Sequence, residues 1–315
     1  MTDPTESTDP VRLPPGPRRI ETFDDMPTGI AQAVTDLIEV ATAVDGQAAV
    51  SEQGRLHLRG GRRPGVRHLV LYAGEVLLGY AQLEEVDPVE APVAELVVHP
   101  EHRGRGHGRT LGHALLDASG KRLRVWAHGG RPAARHLAAQ LGLTLFRELR
   151  QMRRPLPGAP PLPEAVLPEG VTVRTFVPGQ DDTAWLEVNA AAFAHHPEQG
   201  SLTQRDLDDR MAQPWFDSDG FFLALRGQEI VGFHWTKVHA DEQFGEVYVL
   251  GVHPSEQGSG LGRALTLIGL RHLAYDCSMP TAMLYVDADN KPAVTVYERL
   301  GFTIHEVDLM YRAEL

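Results

Sequence analysis

The chain writes one glycine-rich pattern twice, in register, and that repetition commits it to a tandem architecture. The first copy runs Val97-Val98-His99-Pro100-Glu101-His102-Arg103-Gly104-Arg105-Gly106-His107-Gly108. The second runs Gly251-Val252-His253-Pro254-Ser255-Glu256-Gln257-Gly258-Ser259-Gly260-Leu261-Gly262. Pro100 and Pro254 stand 154 positions apart, as do Gly108 and Gly262. Each copy is an apolar strand, then Arg/Gln-x-x-Gly-x-Gly, then a helix-forming run. A helix amino terminus carries unsatisfied N–H groups and about half a positive charge, which suits a phosphate. Gly106 and Gly108, like Gly260 and Gly262, let the backbone close on such a ligand without intervening side chains. Each copy is therefore a place to hold a pyrophosphate.

The copies differ in charge. Arg103, Arg105 and Arg109 surround the first loop. The second has Gln257 and Arg263 with Gly258 and Ser259 between them, so it depends more on backbone dipoles. Neither is a Walker loop, because no Gly-Lys-Ser/Thr follows, and neither has the third glycine of a dinucleotide fingerprint. A lone glycine turn is more often only a turn. Repetition after a strand ending in Val-His-Pro argues for a ligand.

At 315 residues the chain has room for two domains of ordinary size. Residues 1–18 read as a disordered tail, 19–152 as a first domain, 153–170 as a stiff Pro-rich linker and 171–315 as a second domain. Both halves share an order of elements. An early helix (30–43; 183–193) precedes two short strands (68–72 and 76–84; 221–225 and 229–237). A central strand (94–98; 246–252) feeds the glycine loop and its helix. A further strand (123–127; 282–287), a second helix ending at Gly142 or Gly301, and a final strand complete each half. This is an α/β order in which hairpins precede the βα units, giving a mixed, partly antiparallel twisted sheet flanked by helices.

Composition excludes several classes. The net charge of −12 opposes nucleic-acid binding, and no apolar run is long enough to span a membrane. The amino terminus has no apolar segment resembling a secretion signal. The single Cys277 rules out an internal disulfide and a multi-cysteine metal site. No metal is expected, since the adjacent His195 and His196 diverge and lack a third ligand in register. A cytoplasmic monomer is the expectation.

The two loops match the pyrophosphate motif Arg/Gln-x-x-Gly-x-Gly/Ala, and the carboxy half adds Asn290-x-x-Ala293-x-x-x-Tyr297-x-x-x-Gly301-Phe302. On these residues the chain resembles the GNAT superfamily of acetyl-CoA-dependent N-acetyltransferases, across both halves. The resemblance implies acetyl-CoA as co-substrate. It implies coenzyme contacts from Leu96, Val97, Val98 and Gly104–Arg109 (His107 included) in the first half. In the second it implies Leu250, Gly251, Val252, Gln257–Arg263 (Leu261 included), and Asn290, Lys291, Pro292, Ala293, Val294 and Thr295.

Acetyl transfer to an amine needs a neutral nucleophile, support for the oxyanion and a proton for the departing thiolate. Glu246 lies eight positions before Pro254, where strand alternation can turn it into the cleft as a base; an ordinary exposed strand-end Glu is the alternative. Leu250-Gly251 can mark a bulge that frees an N–H for the thioester carbonyl. Tyr297 occupies the family's general-acid position, a packed helix tyrosine being the alternative. A phenol near ~10 and a thiol near ~8.5 are close enough for efficient proton transfer. In the first half Pro92 and Ala138 fall at these two places, so that half is expected to bind coenzyme without catalysing.

Further strings, among them Phe193–Gly200, Gly232–His239, Ala41–Gly46 and Gln151–Leu156, resemble the tandem GNAT branch that acetylates the cysteinyl amine of Cys-GlcN-inositol (Cys-GlcN-Ins) to give mycothiol and CoA. That resemblance implies acceptor contacts from Glu52, Glu198, Lys237, Glu246 and Tyr285, with Tyr285 also reaching the coenzyme. Gly258-Ser259 departs from the basic residues frequent there, which bears on coenzyme affinity. Two other readings stay open: a tandem GNAT acting on another amine, such as an aminoglycoside or a protein amino terminus, and a non-catalytic acetyl-CoA sensor.

Overall fold

A computed structural model describes residues 17–59, 61–85, 90–158, 160–194 and 197–313, with only the backbone of Pro197 and Glu198. The tail expected over residues 1–18 lies outside this description except for its last two residues, and Arg18 already pairs with Ala73 in a strand. The chain forms two compact units, one of residues up to 146 together with those from 309, the other of 147–308.

In the first unit, β1 (Arg18–Phe23), β2 (Val66–Ala73), β3 (Val76–Glu84) and β4 (Val93–Val98) are antiparallel neighbours, and β5 (Arg124–Ala127) lies parallel to β4. Residues 309–312 run antiparallel along the other edge of β5. Helix α1 (Thr28–Asp45) buries Val34, Leu37, Ile38 and Ala41, the spacing of one helical face, and stops at Gly46 in a left-handed conformation whose N–H reaches Thr42. That face and α2 (Glu52–Arg59) cover Val70, Tyr80 and Val97. Helix α3 (His107–Ala118) covers the opposite face through Leu111 and Leu115, and α4 (Pro132–Gln140) follows β5. With both faces covered, β2 and β3 are apolar along nearly their whole length rather than alternating.

In the second unit, residues 147–155 of β6 (Leu143–Pro155) pair with β11 in a sheet. It contains β7 (Val171–Thr175), β8 (Phe221–Arg226), β9 (Glu229–His239), β10 (Phe244–Val252) and β11 (Thr281–Asp287). Its order is β7-β8-β9-β10-β11-β6, antiparallel except for β10 and β11. Helices α5 (Asp182–Ala192), α6 (Pro197–Gly200) and α7 (Gln204–Met211) precede β8; α8 (Leu261–Arg271) follows β10; α9 (Lys291–Arg299) precedes β12 (Thr303–Ala313). An aromatic core of Trp185, Phe221, Phe233 and Trp235 lies under α5 and α7. No helix among the described residues is long and apolar enough to cross a membrane.

Three details differ from the sequence reading. Arg153, Arg154 and Pro155, expected to open a linker, are strand residues paired with Met283, Ala282 and Thr281. Arg154 is buried, donating to the carbonyls of Leu300 and Pro160. The final strand of the first half therefore hydrogen-bonds to β11, and the units divide near Phe146. The third difference is the bulge, which falls between Val247 and Val249, not at Leu250-Gly251. Gly251 serves packing instead: a Cβ there would stand 2.6 Å from the Phe233 ring.

Candidate active site

The glycine loops form as their composition dictates. Gly106 and Gly260 are the N-caps of α3 and α8, both left-handed, with φ of 83° and 90°. A glycine N-cap has no side chain to bond the first turn, so free N–H groups face the space before each helix. Cβ atoms added at Gly104, Gly106, Gly258 or Gly260 would meet nothing within 4 Å, so these backbones border open space, which fits a pyrophosphate. In the second loop Ser259 Oγ donates to Glu256 O at 2.7 Å and accepts from the Leu261 N–H at 3.3 Å, ordering the turn that lacks basic side chains. Glu256 is itself held by Arg226 at 2.6 Å, and this guanidinium keeps its carboxyl below the usual range.

The first loop carries less free charge than its sequence suggests. Arg103 grips Asp45 at the end of α1 through two bonds of 2.7 and 2.8 Å, with Arg131 3.6 Å from the same carboxylate. His107 and Leu261 occupy matching places and are both buried, so only their backbones are available to a ligand. The same holds for Val97 and Val294. Asn290 is the N-cap of α9, its side chain accepting from Ala293 N at 3.2 Å, and Thr295 donates to Lys291 O at 2.8 Å. Lys291 Nζ donates to Ala288 O at 2.8 Å.

Above each loop the central parallel pair opens into a fork. In the second unit β10 and β11 pair at Gly245/Ala282, Glu246/Met283 and Val247/Leu284, and the pairing ends where the bulge begins. Leu250 to Val252 remain bonded to β9 on one edge, leaving their other edge toward the fork. That edge can receive an extended amide-bearing chain such as pantetheine.

Glu246 stands at the base of this fork. It is 8% exposed, which removes the reading as an ordinary exposed strand-end Glu. His239 Nε2 donates to its Oε2 at 2.7 Å. Lys237, its partner in register on β9, is equally buried, with its ammonium 4.3 Å from the Trp215 ring. Tyr285, half exposed on β11, accepts from Gln151 Nε2 at 2.8 Å. Tyr297 is buried on α9 against Phe302, and burial pushes its phenol up to about 12. It is thus further above a free thiol than the sequence reading assumed. Glu52 begins α2 in the first unit. The side chain of Glu198, and His195 and His196, lie outside the described residues. Trp235, within the Gly232–His239 string, is fully buried in the aromatic core.

Sequence reasoning missed His239, Trp215, Tyr248 and Arg210. It also missed Glu95, buried at the first unit's fork. Glu95 accepts from Ser51 N and Oγ at about 3 Å and from His128 Nε2 at 2.7 Å. A carboxylate so fully bonded is a structural anchor for the start of α2. Among the described residues no group of three or more His, Cys, Asp or Glu side chains could hold a metal.

The acetyltransferase (GNAT) family profile matches residues 33–143 and 187–302. The mycothiol acetyltransferase of Streptomyces avermitilis is 73% identical over 297 residues, covering 94% of this chain and 96% of its own length. The mycothiol acetyltransferase of Streptomyces coelicolor is 70% identical, covering 98% and 99%. Among solved structures, a tandem GNAT protein from the clavulanic acid biosynthesis pathway superposes with a TM-score of 0.67 at 18% identity, over 94% of this chain and 99% of that one. A GCN5-related N-acetyltransferase from Sphaerobacter thermophilus gives 0.65 at 24%, over 94% and 96%. These two likenesses concern the fold. The protein is an acetyl-CoA-dependent acyltransferase with two such domains, and the chain belongs to the GNAT acetyltransferase family.

Proposed function

We propose that the protein is a mycothiol acetyltransferase, transferring acetyl from acetyl-CoA to the cysteinyl amine of Cys-GlcN-Ins to give mycothiol and CoA, the last step of mycothiol biosynthesis. The observation that carries this reading is near-full-length identity of 73% to a relative of that name, in a chain whose fork holds a buried carboxylate. In the proposed mechanism Glu246 takes a proton from the acceptor ammonium, directly or through water. The neutral amine attacks the thioester carbonyl, forming a C–N bond. The oxyanion accepts a hydrogen bond from a backbone N–H on the fork edge of β10. Collapse breaks the C–S bond, Tyr297 gives its proton to the leaving thiolate, and the extra proton on the new amide nitrogen returns the tyrosinate to its phenol.

Acceptor contacts are assigned to Glu52, Glu198, Lys237, Glu246 and Tyr285, and coenzyme contacts to the two loops and Asn290–Thr295. The first unit is assigned a silent role. Counting from the loop puts Pro92 at the place of Glu246, but β4 has no counterpart of the bulge at Tyr248, so strand register puts Val93 there; neither residue is a carboxylate, and the buried Ala138 falls at the place of Tyr297. The enzyme is proposed to act as a cytoplasmic monomer. Acetyl-CoA turnover against Cys-GlcN-Ins, glucosaminyl-inositol and a peptide panel tests the reading. Selective turnover of the first is expected, and its absence would end the proposal.

A further inference from the structure

Two histidines lie behind the first glycine loop, and neither has a histidine counterpart in the second. At the matching places, 154 positions on, Glu256 stands for His102 and Leu261 for His107. His107 is the first residue of α3, directly after the Gly106 cap, and His102 closes the short turn that enters the loop. Both residues are more than nine-tenths buried. Both ring nitrogens of His107 and Nδ1 of His102 are sealed from solvent and have no hydrogen-bond partner. Polar atoms so placed have left water with nothing in return. Burial therefore pulls both imidazoles below the usual histidine range, and neighbouring positive groups add to it. The groups facing His107 are Arg18 at the start of β1, His102 and Arg105. Those facing His102, besides His107, are His99, Glu101 and Arg105, with the His99 ring 5.2 Å away. Arg18 donates to the Arg105 carbonyl at 3.3 Å, so β1 closes against the loop. In the second loop Glu256 is ion-paired with Arg226 at 2.6 Å, and Leu261 is apolar. His99 and His253, common to both loops, each accept a backbone N–H through Nδ1 and so do not distinguish them.

We propose that His102 and His107 are coenzyme-binding residues of the first loop, a pair that takes up a proton as the diphosphate docks, which the second loop does not do. In the free protein both imidazoles are neutral at pH 7. A diphosphate seated on the N–H groups before α3 brings negative charge beside them. That charge offsets Arg18 and Arg105, and it favours the imidazolium by direct attraction. The proton then supplies positive charge to a loop whose Arg103 is committed to Asp45. Because the bound form holds the proton more tightly than the free form, affinity at this site is greatest at low pH. It falls as pH rises through the window between the two forms. The second loop, whose Glu256 is already ionised against Arg226, binds without that dependence. The two cradles thus answer differently to pH. This inference rests on the assignment of coenzyme to the first loop.

Dephospho-CoA is the probe, because its diphosphate diester stays ionised from about pH 5 to 8, whereas the 3′-phosphate of CoA titrates near pH ~6. Calorimetry on the full chain, in two non-phosphate buffers of unlike ionisation enthalpy, reads the protons taken up per ligand bound. The wild type is expected to bind two equivalents and to take up about half a proton near pH ~6. The affinity of one site should fall about tenfold from pH ~5.5 to ~8. In His102→Gln/His107→Leu, which places at 107 the residue type of the second loop, the uptake should vanish and both affinities should hold within about twofold. Carbon-13 histidine labelling, assigned with the single variants, should show at least one of the two imidazoles titrating about 1 pH unit higher with dephospho-CoA bound. Two equivalents bound with no uptake, or an uptake that persists in the folded double variant, overturns the proposal. A wild type that binds one equivalent and leaves both imidazoles unmoved would overturn the assignment of coenzyme to the first loop, and the proposal with it.

Discussion

Replacing Tyr297 by Phe should separate catalysis from stability. Among the described residues no hydrogen bond reaches the Tyr297 hydroxyl, while the ring is buried in the core with Leu300 and Phe302. Phe keeps that ring and its edge contact with Phe302 at 5.8 Å. Deleting an unbonded hydroxyl costs no pairing energy, so the change in stability should stay within about 1 kcal/mol, or a few degrees in Tm. The phenol is pushed up to about 12 from 10.0 by burial, so at pH 7 it carries its proton in both folded and unfolded states. Its contribution to stability is complete below pH 10 and is lost as pH rises from 10 toward 12, where only the unfolded chain ionises readily. At about 1.4 kcal/mol per unit, the loss approaches ~3 kcal/mol. Tyr297→Phe should therefore unfold less steeply in that alkaline window than wild type. Chromogenic thiol release should show a kcat lower by roughly 10²–10⁴, the usual scale for a lost general acid. A kcat within threefold of wild type would remove Tyr297 from the mechanism. A large fall in Tm would mean that lost activity reports unfolding.

Other outcomes follow from individual contacts. Buried His234, lowered to about 4 from 6.5 by desolvation, contributes stability above pH 6.5 that is lost as pH falls through 4. Thermal melts of wild type should lose up to about 3 kcal/mol over that window, and His234→Gln should lose less. Arg154→Met strands the Leu300 and Pro160 carbonyls and should cost about 2–4 kcal/mol in urea melts, with unchanged m. Gly251→Val drives a side chain into Phe233 and should cost about 1–3 kcal/mol while weakening acetyl-CoA binding in calorimetry.

Much of the fold was legible because local patterns agreed with it. The apolar spacing of Val34, Leu37, Ile38 and Ala41 and the stop at Gly46 define α1, and the doubled loops place α3 and α8. What stayed hidden depends on pairing between distant strands. Nothing local in Arg153-Arg154-Pro155 distinguishes an extended linker from a strand, because both are extended; the partner, β11, lies over a hundred residues away. The bulge was misplaced for a related reason. Gly251 looked like the irregular residue, but its missing Cβ makes room for Phe233, and the extra residue sits at Tyr248. The role of His239 was equally unreadable, since only strand register brings it to Glu246. Glu246 could be singled out as a candidate from its spacing to the duplicated loop, while its burial and the bulge between it and that loop appear only in the structure.

The central claim is that both the acid and the base lie in the second unit and that the first unit does no chemistry. Single-turnover acetylation of Cys-GlcN-Ins by Glu246→Gln/Tyr297→Phe, with acetyl-CoA binding and Tm measured on the same sample, tests it most directly. The account predicts a folded, coenzyme-binding protein whose transfer rate is at least ~10³-fold below wild type. A rate within tenfold of wild type would contradict it, because the chemistry would then be occurring elsewhere in the chain.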